Sequence, residues 1–204
     1  MLEKVQADRL RKLRQIRELG IDPYGGRYET AEPVADILAR YVDDDDAQTA
    51  DAAGRLVLLR NMGKMMFAHL RDETGDMQVA FRKDALDERS WKLARLLDLG
   101  DIVGVAGTLK RTKRGEITIW ADRLTLLCKS LNPMPEKFHG LVDVEARTRR
   151  RYLDLMTNAD SQARFRKRVA IIEHMRRRLN DRGYLEVETP VLQPIYGGAA
   201  ARPF

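Results

Sequence analysis

The chain holds one cysteine, Cys128, and only three histidines, His69, His139 and His174. A disulfide framework and a cysteine-based zinc site each need several thiols, so both are excluded. The histidines are too few and too scattered for a His-rich metal site. Long hydrophobic runs are missing too: nothing approaches the roughly 18 apolar residues of a membrane span. The first twenty residues, MLEKVQADRLRKLRQIRELG, lack the apolar centre of a secretory signal. The expected location is cytoplasmic.

What is present is a chain of 204 residues, 44% hydrophobic and 33% charged, with a net charge of +6. That apolar fraction supports a packed core and argues against wholesale disorder. The excess of base invites nucleic acid as a partner, although many solvated surfaces are equally basic.

Residues 3–19 carry Val5, Leu10, Leu13, Ile16 and Leu19 near the helical period, with Arg9, Arg11, Lys12, Arg14 and Arg17 around the rest. Gly20 is a stop, Asp22-Pro23-Tyr24-Gly25-Gly26 is turn chemistry, and a short helix is expected near 33–41. Asp43 to Asp46 read as a self-repelling, solvated loop. From Gly54 the period changes to two. Strands are expected over 54–60, 64–71 and 76–82, the last two joined by the turn Asp72-Glu73-Thr74-Gly75. A helix carried by Leu86, Trp91, Leu93, Leu96 and Leu97 stops at Gly100, and strands over 102–111 and 116–127 follow. Three strands, a helix and two strands is the order of an OB-fold barrel, a platform for single-stranded nucleic acid.

Strand parity adds detail. Met77, Val79 and Phe81 share one face of the third strand, leaving Asp76, Gln78, Ala80 and Arg82 on the other. In the second strand Met66, Ala68 and Leu70 suit the core, leaving Met65, Phe67, His69 and Arg71 outside. An outward Phe beside Gln and Arg is what base stacking with edge hydrogen bonding requires. Packing under a loop would place Phe67 outside equally well.

Asn132-Pro133-Met134-Pro135 is a stiff breaker and a natural linker. Beyond it the chain turns basic, with Arg147, Arg149, Arg150, Arg151, Arg164, Arg166, Lys167, Arg168, Arg176, Arg177 and Arg178. Phe165, Val169, Ile172, Met175 and Leu179 mark one face of a long helix, with Asp160 or Ser161 as N-cap and Gly183 as the stop. Residues 184–189 alternate toward a strand that Pro190 ends.

Three stretches now carry a resemblance. Arg182-Gly183-Tyr184-Leu185-Glu186-Val187-Glu188-Thr189-Pro190-Val191-Leu192 resembles motif 1 of the class II aminoacyl-tRNA synthetases. Lys137-Phe138-His139-Gly140-Leu141, running to Arg151-Tyr152-Leu153-Asp154-Leu155, is similar to the hinge of the lysyl-tRNA synthetases. Gly197-Gly198-Ala199-Ala200-Ala201-Arg202-Pro203-Phe204 resembles the segment after motif 1 in the same enzymes. Leu99-Gly100-Asp101-Ile102-Val103-Gly104-Val105 and Gly107-Thr108-Leu109 extend the likeness through the barrel.

The resemblance implies an α+β protein: an N-terminal helical segment (1–52), a five-stranded OB-fold anticodon-binding barrel (53–130), a linker (131–158) and the start of a class II catalytic domain (159–204). It implies that Phe67 stacks on the central uridine of the tRNA(Lys) anticodon, with Gln78, Arg55 and Arg60 holding it. Gly197 and Gly198 fall where the lysine pocket begins, and Gly183 and Pro190 belong to the motif 1 dimer interface of a homodimer. The family's reaction uses ATP and Mg2+ to form lysyl-adenylate. Its phosphate-binding arginines come from motifs 2 and 3, with nearby acidic residues holding the metal, and both motifs would lie beyond Phe204. The expectation is therefore a synthetase represented by its N-terminal part, inactive alone. A free-standing tRNA-binding module is the alternative, and a protein-lysine-modifying paralogue fits less well because the barrel is present.

Overall fold

The structure, a computed structural model, describes residues 2–190 except 44, 46, 135–140 and 142. The chain divides into two compact units, 1–134 and 135–204. The expected segments 1–52 and 53–130 thus share one unit, and the elements show why.

Helix α1 (Leu2–Glu18) buries Leu13 and Ile16, while Leu10 of the expected apolar stripe stays exposed. Helix α2 (Val34–Arg40) buries Val34 and Ile37. Strands β1 (Thr49–Asn61), β2 (Met65–Arg71), β3 (Asp76–Arg82), β4 (Ile102–Arg111) and β5 (Ile117–Cys128) close into a barrel in the order β1-β2-β3-β5-β4. All pairings are antiparallel except β3 with β5. Helix α3 (Glu88–Leu96) lies between β3 and β4 in sequence. It is capped by Asp87, whose carboxylate accepts from the Ser90 N–H at 2.9 Å.

Strand β1 begins five residues before its expected start. Its first half, from Thr49 to Arg55, pairs with β4, and its second half pairs with β2. The inward residues of that first half are Ala50 and Ala52, both buried. Alanine alternation is too weakly apolar to signal a strand in sequence. Further along, Leu56, Met66, Ala68, Leu70, Met77, Val79 and Phe81 point inward with Val103, Val105, Leu109 and Ile119 from β4 and β5. Each fully buried large side chain among them contributes about 1.5–3 kcal/mol. The strand parity expected from the sequence holds in β2 and β3.

A segment between α1 and α2 straps the outside of the barrel. The Tyr28 hydroxyl donates to Asp51, which also accepts from Thr30 at 2.6 Å and from Arg123 at 2.8 Å. The Tyr28 ring lies directly on Gly104, where a Cβ would overlap it. Only glycine admits the ring at that point.

The second unit contains α4 (Val144–Arg149), α5 (Arg151–Thr157) and α6 (Ala159–Asn180). The Asp154 carboxylate is buried and accepts from Arg147 Nε at 2.8 Å and Arg151 Nη1 at 2.6 Å. Burial pushes its pKa up, and the Ser161 hydroxyl with the two guanidiniums outweighs that and holds it below the ordinary value. The N-cap of α6 is Asn158, not Asp160 or Ser161: its side chain accepts from the Ser161 N–H. The helix starts earlier than expected because Asn158 supplies the cap, and the Ser161 hydroxyl instead accepts from Arg147 at 2.9 Å. The stripe of Phe165, Val169, Met175 and Leu179 exists but is exposed. Gly183 follows the helix end with φ 81°, as a stop requires. Residues 184–190 form no strand and are exposed. A strand exists only by pairing, and no described strand lies alongside this segment.

Candidate nucleic-acid interface

The register of β1, β2, β3 and β5 places two rows of side chains on the outer barrel surface. One row is Arg60, Phe67, Ala80 and Trp120; the next is Leu58, His69, Gln78 and Thr118. Ala80 is fully buried although it faces outward. Its neighbours explain that: the rings of Phe67 and Trp120 flank it edge-to-face, with centroids 6.2 Å apart and planes at 76°. Such pairs contribute about 0.5–1.5 kcal/mol beyond their buried area. Phe67 is thus held upright on a small residue, beside the exposed Arg60.

Gln78 is fixed by two neighbours. The Thr118 hydroxyl donates to its Oε1 at 2.8 Å, and its Nε2 donates to Glu116. Those contacts settle which end of the amide is oxygen. One lone pair and one N–H remain for a base edge. His69 Nε2 lies 3.5 Å from the other Glu116 oxygen. Arg82 stands opposite Met65 in the register, with its guanidinium 5.6 Å from the Trp120 ring centre. Taken together, the surface offers an aromatic edge, an oriented amide, a carboxylate and two guanidiniums. It can stack a flat ring, read its polar edge and neutralise a phosphate.

Arg55 is not part of this group. It stands opposite Arg71 at the far end of the β1–β2 pairing and donates to the Gly100 carbonyl at 2.8 Å. Gly197 and Gly198 lie outside the described residues. Pro190 and Gly183 are exposed in the second unit.

Sequence reasoning passed over Glu116, Thr118 and Trp120. The signal for them was the alternation of Ile117, Ile119 and Ala121 along the last strand, which turns Glu116, Thr118 and Trp120 outward. Placing them beside Gln78 also required the parallel β3–β5 pairing.

Two family models match the chain: "OB-fold nucleic acid binding domain" over residues 52–127, and "tRNA synthetases class II (D, K and N)" over residues 143–204. A lysine–tRNA ligase of Moorella thermoacetica is 49% identical over 200 residues, covering 98% of this chain and 41% of that protein. Over nearly its whole length the chain is similar to lysine–tRNA ligases. Those of Carboxydothermus hydrogenoformans and Streptococcus pneumoniae are 46% and 47% identical, over 96% and 100% of this chain. The chain spans about two-fifths of the length of these curated relatives. Among the described residues no helix is long and apolar enough to cross a membrane.

Proposed function

We propose that the first unit binds the anticodon of tRNA(Lys) on behalf of a lysine–tRNA ligase. The observation that carries this reading is the placement of Phe67 and Gln78 on neighbouring strands of one outer face, in a barrel whose sequence matches a nucleic-acid-binding family. Phe67 stacks on the central uridine, Gln78 meets its edge with the orientation set by Thr118 and Glu116, and Arg60 supplies the adjacent cation. Arg55 lies in the next outward row and donates to the Gly100 carbonyl at 2.8 Å.

The complete reaction joins lysine to tRNA through lysyl-adenylate, with ATP and Mg2+. Among the described residues no three His, Cys, Asp or Glu side chains converge as a metal site. Motifs 2 and 3 do not occur in these 204 residues, so no step through nucleotide or metal is derived from them. Gly197 and Gly198 are proposed at the entrance of the lysine pocket. The exposed apolar stripe of α6, with Gly183 and Pro190 beyond it, supports a motif 1 contact between two copies in the complete enzyme.

The test is a titration of the 204-residue chain with the tRNA(Lys) anticodon stem-loop at fixed salt. Phe67→Ala should weaken binding by about 1–3 kcal/mol, the scale of one base stack. Equal affinity of the two proteins sinks the proposal. The chain alone is expected to give no lysine-dependent ATP–pyrophosphate exchange, and exchange clearly above background would refute that part. A free-standing binding module makes the same stem-loop prediction, and the self-contained barrel unit favours keeping it as a second reading. The two differ in whether the gene continues in frame into motifs 2 and 3.

A further inference from the structure

The pair Arg82 and Trp120 has no place in the single-base reading, and its chemistry is unlike the rest of the barrel surface. The Arg82 guanidinium sits over the indole at 5.6 Å and still leaves its side chain 42% exposed. Its ion pairing is loose, with Asp84 Oδ1 3.7 Å from Nε. Arg82 Nε and Trp120 Nε1 are buried and have no hydrogen-bond acceptor among the described residues. Each such orphan costs free energy on the order of a lost hydrogen bond. A staple built only to stabilise β3 and β5 would satisfy those donors.

Position says which ligand. Trp120 touches Phe67, and Arg82 lies across the strand pairing from Met65, so the stack continues the row on which the first base is proposed to sit. A guanidinium plane backed by an aromatic ring is a platform on which a nucleobase stacks, and its charge draws the phosphate that joins that base to the next.

We propose that Arg82, held over the Trp120 ring, forms a second stacking position for a nucleobase of single-stranded RNA, adjacent to the one on Phe67. This rests on the RNA-binding reading of the barrel. The planar side chain carries the interaction, and Trp120 acts as its positioning residue. The position prefers no particular base through stacking alone, since every base has a π-face.

The experiment titrates the 204-residue chain with four RNA probes: the anticodon stem-loop, and versions abasic at the central nucleotide, at its 5′ neighbour or at its 3′ neighbour. Arg82→Leu should weaken the intact stem-loop about 5- to 150-fold, the stacking scale converted to a ratio. Arg82→Lys should lose nearly as much, because the charge remains while the plane is gone. The Arg82→Leu loss should vanish on one of the two neighbour-abasic probes and persist on the centrally abasic one. Phe67→Ala should show the opposite pattern. Trp120→Leu, whose ring contacts both side chains, should show the Arg82→Leu loss together with part of the Phe67→Ala loss, with thermal melting confirming a folded barrel for each variant.

Wild-type binding by Arg82→Lys would reduce the residue to a phosphate contact and overturn the stacking position. A loss that persists on all abasic probes would overturn it as well. Should Phe67→Ala weaken binding while both Arg82 variants bind like the wild type, this inference fails and the anticodon reading stands. Failure of the wild type to bind the intact stem-loop removes both.

Discussion

Lys129 shows what single residues contribute to the first unit. It is fully buried, and its ammonium donates to Asp101 at 2.8 Å, to Asp98 at 2.6 Å and to the Leu96 carbonyl at 3.1 Å. All three of its protons are used. Lys12 from α1 completes the cluster on Asp98 at 2.6 Å, giving two cations for two carboxylates. Burial pushes Asp98 up, and the hydrogen bonds from Lys12 and Lys129 outweigh it, leaving its pKa below the ordinary value. Breaking such a cluster is worse than lacking it, because a buried charge is left alone. Lys129→Met should therefore lower stability by about 3–5 kcal/mol in urea unfolding. Adding Asp101→Asn to that variant should recover part of the loss, because it removes the unpaired charge and keeps an acceptor for the backbone N–H groups of Asp98 and Ser130. If the double variant is no more stable than the single one, the cluster's energetics are not those of a compensated pair. Arg9 is a residue whose role was hidden. Its spacing placed it with the solvated arginines, yet it is buried and donates to the Leu99, Ser130 and Asn132 carbonyls at 3.0, 2.9 and 2.8 Å. Helical periodicity identifies apolar faces, and it has no means of signalling carbonyl acceptors 90 or more residues away.

Among the elements, α2 is stabilised from outside itself. Its N-cap Pro33 offers no side-chain bond. The Val34 N–H instead donates to Asp72 at 2.8 Å, and Ala35 N–H to Thr74 at 3.0 Å, both from the β2–β3 turn. Burial raises the Asp72 pKa, but N–H groups of Val34, Gly75 and Thr74 with the Thr74 hydroxyl hold it below the usual carboxylate value. The sign follows: the unfolded chain binds the proton more readily, so this stabilisation is present above the ordinary carboxylate pKa and disappears as pH falls toward the folded one. Asp72→Asn should flatten the acid limb of the melting-temperature profile while changing it less in shape above pH 6. An unchanged acid limb would show that the cap does not titrate in this way. The turn at Asp72 was legible from Asp-Glu-Thr-Gly, and so were the inward faces of β2 and β3 from Met66, Ala68, Leu70 and Met77, Val79, Phe81. The face that β5 lends to the interface was not, since period two shows which residues turn outward but not which strand lies alongside. The extended segment 184–189 marks the reverse case. Its alternation is real, but a strand also needs a neighbour.

For the molecule as a whole, charge follows the two-unit division. The barrel face sets Arg60 and Arg82 near the rings of Phe67 and Trp120, whereas Arg147 of α4 and Arg151 of α5 neutralise a buried carboxylate. RNA affinity of the chain should accordingly depend on the arginines of the face. Log affinity falls against log salt by about 0.7 per phosphate contact with a single strand. Arg60→Gln should therefore reduce that slope by roughly one contact, whereas Phe67→Ala should leave it unchanged and lower affinity at every salt concentration. Equal slopes for wild type and Arg60→Gln would show that Arg60 touches no phosphate.

The grip of Arg9 on Ser130 and Asn132 has a consequence for synthesis. The arginine leaves the ribosome well before its acceptors, which stand 121 and 123 residues later. At about 5–20 residues per second the interval is roughly 6–24 s. During that time α1 has Leu13 and Ile16 ready but no barrel to receive them. Stalled nascent chains should show α1 cut by protease until Asn132 has emerged, and protected only afterwards. Protection at shorter lengths would mean that the helix docks before its clasp is made.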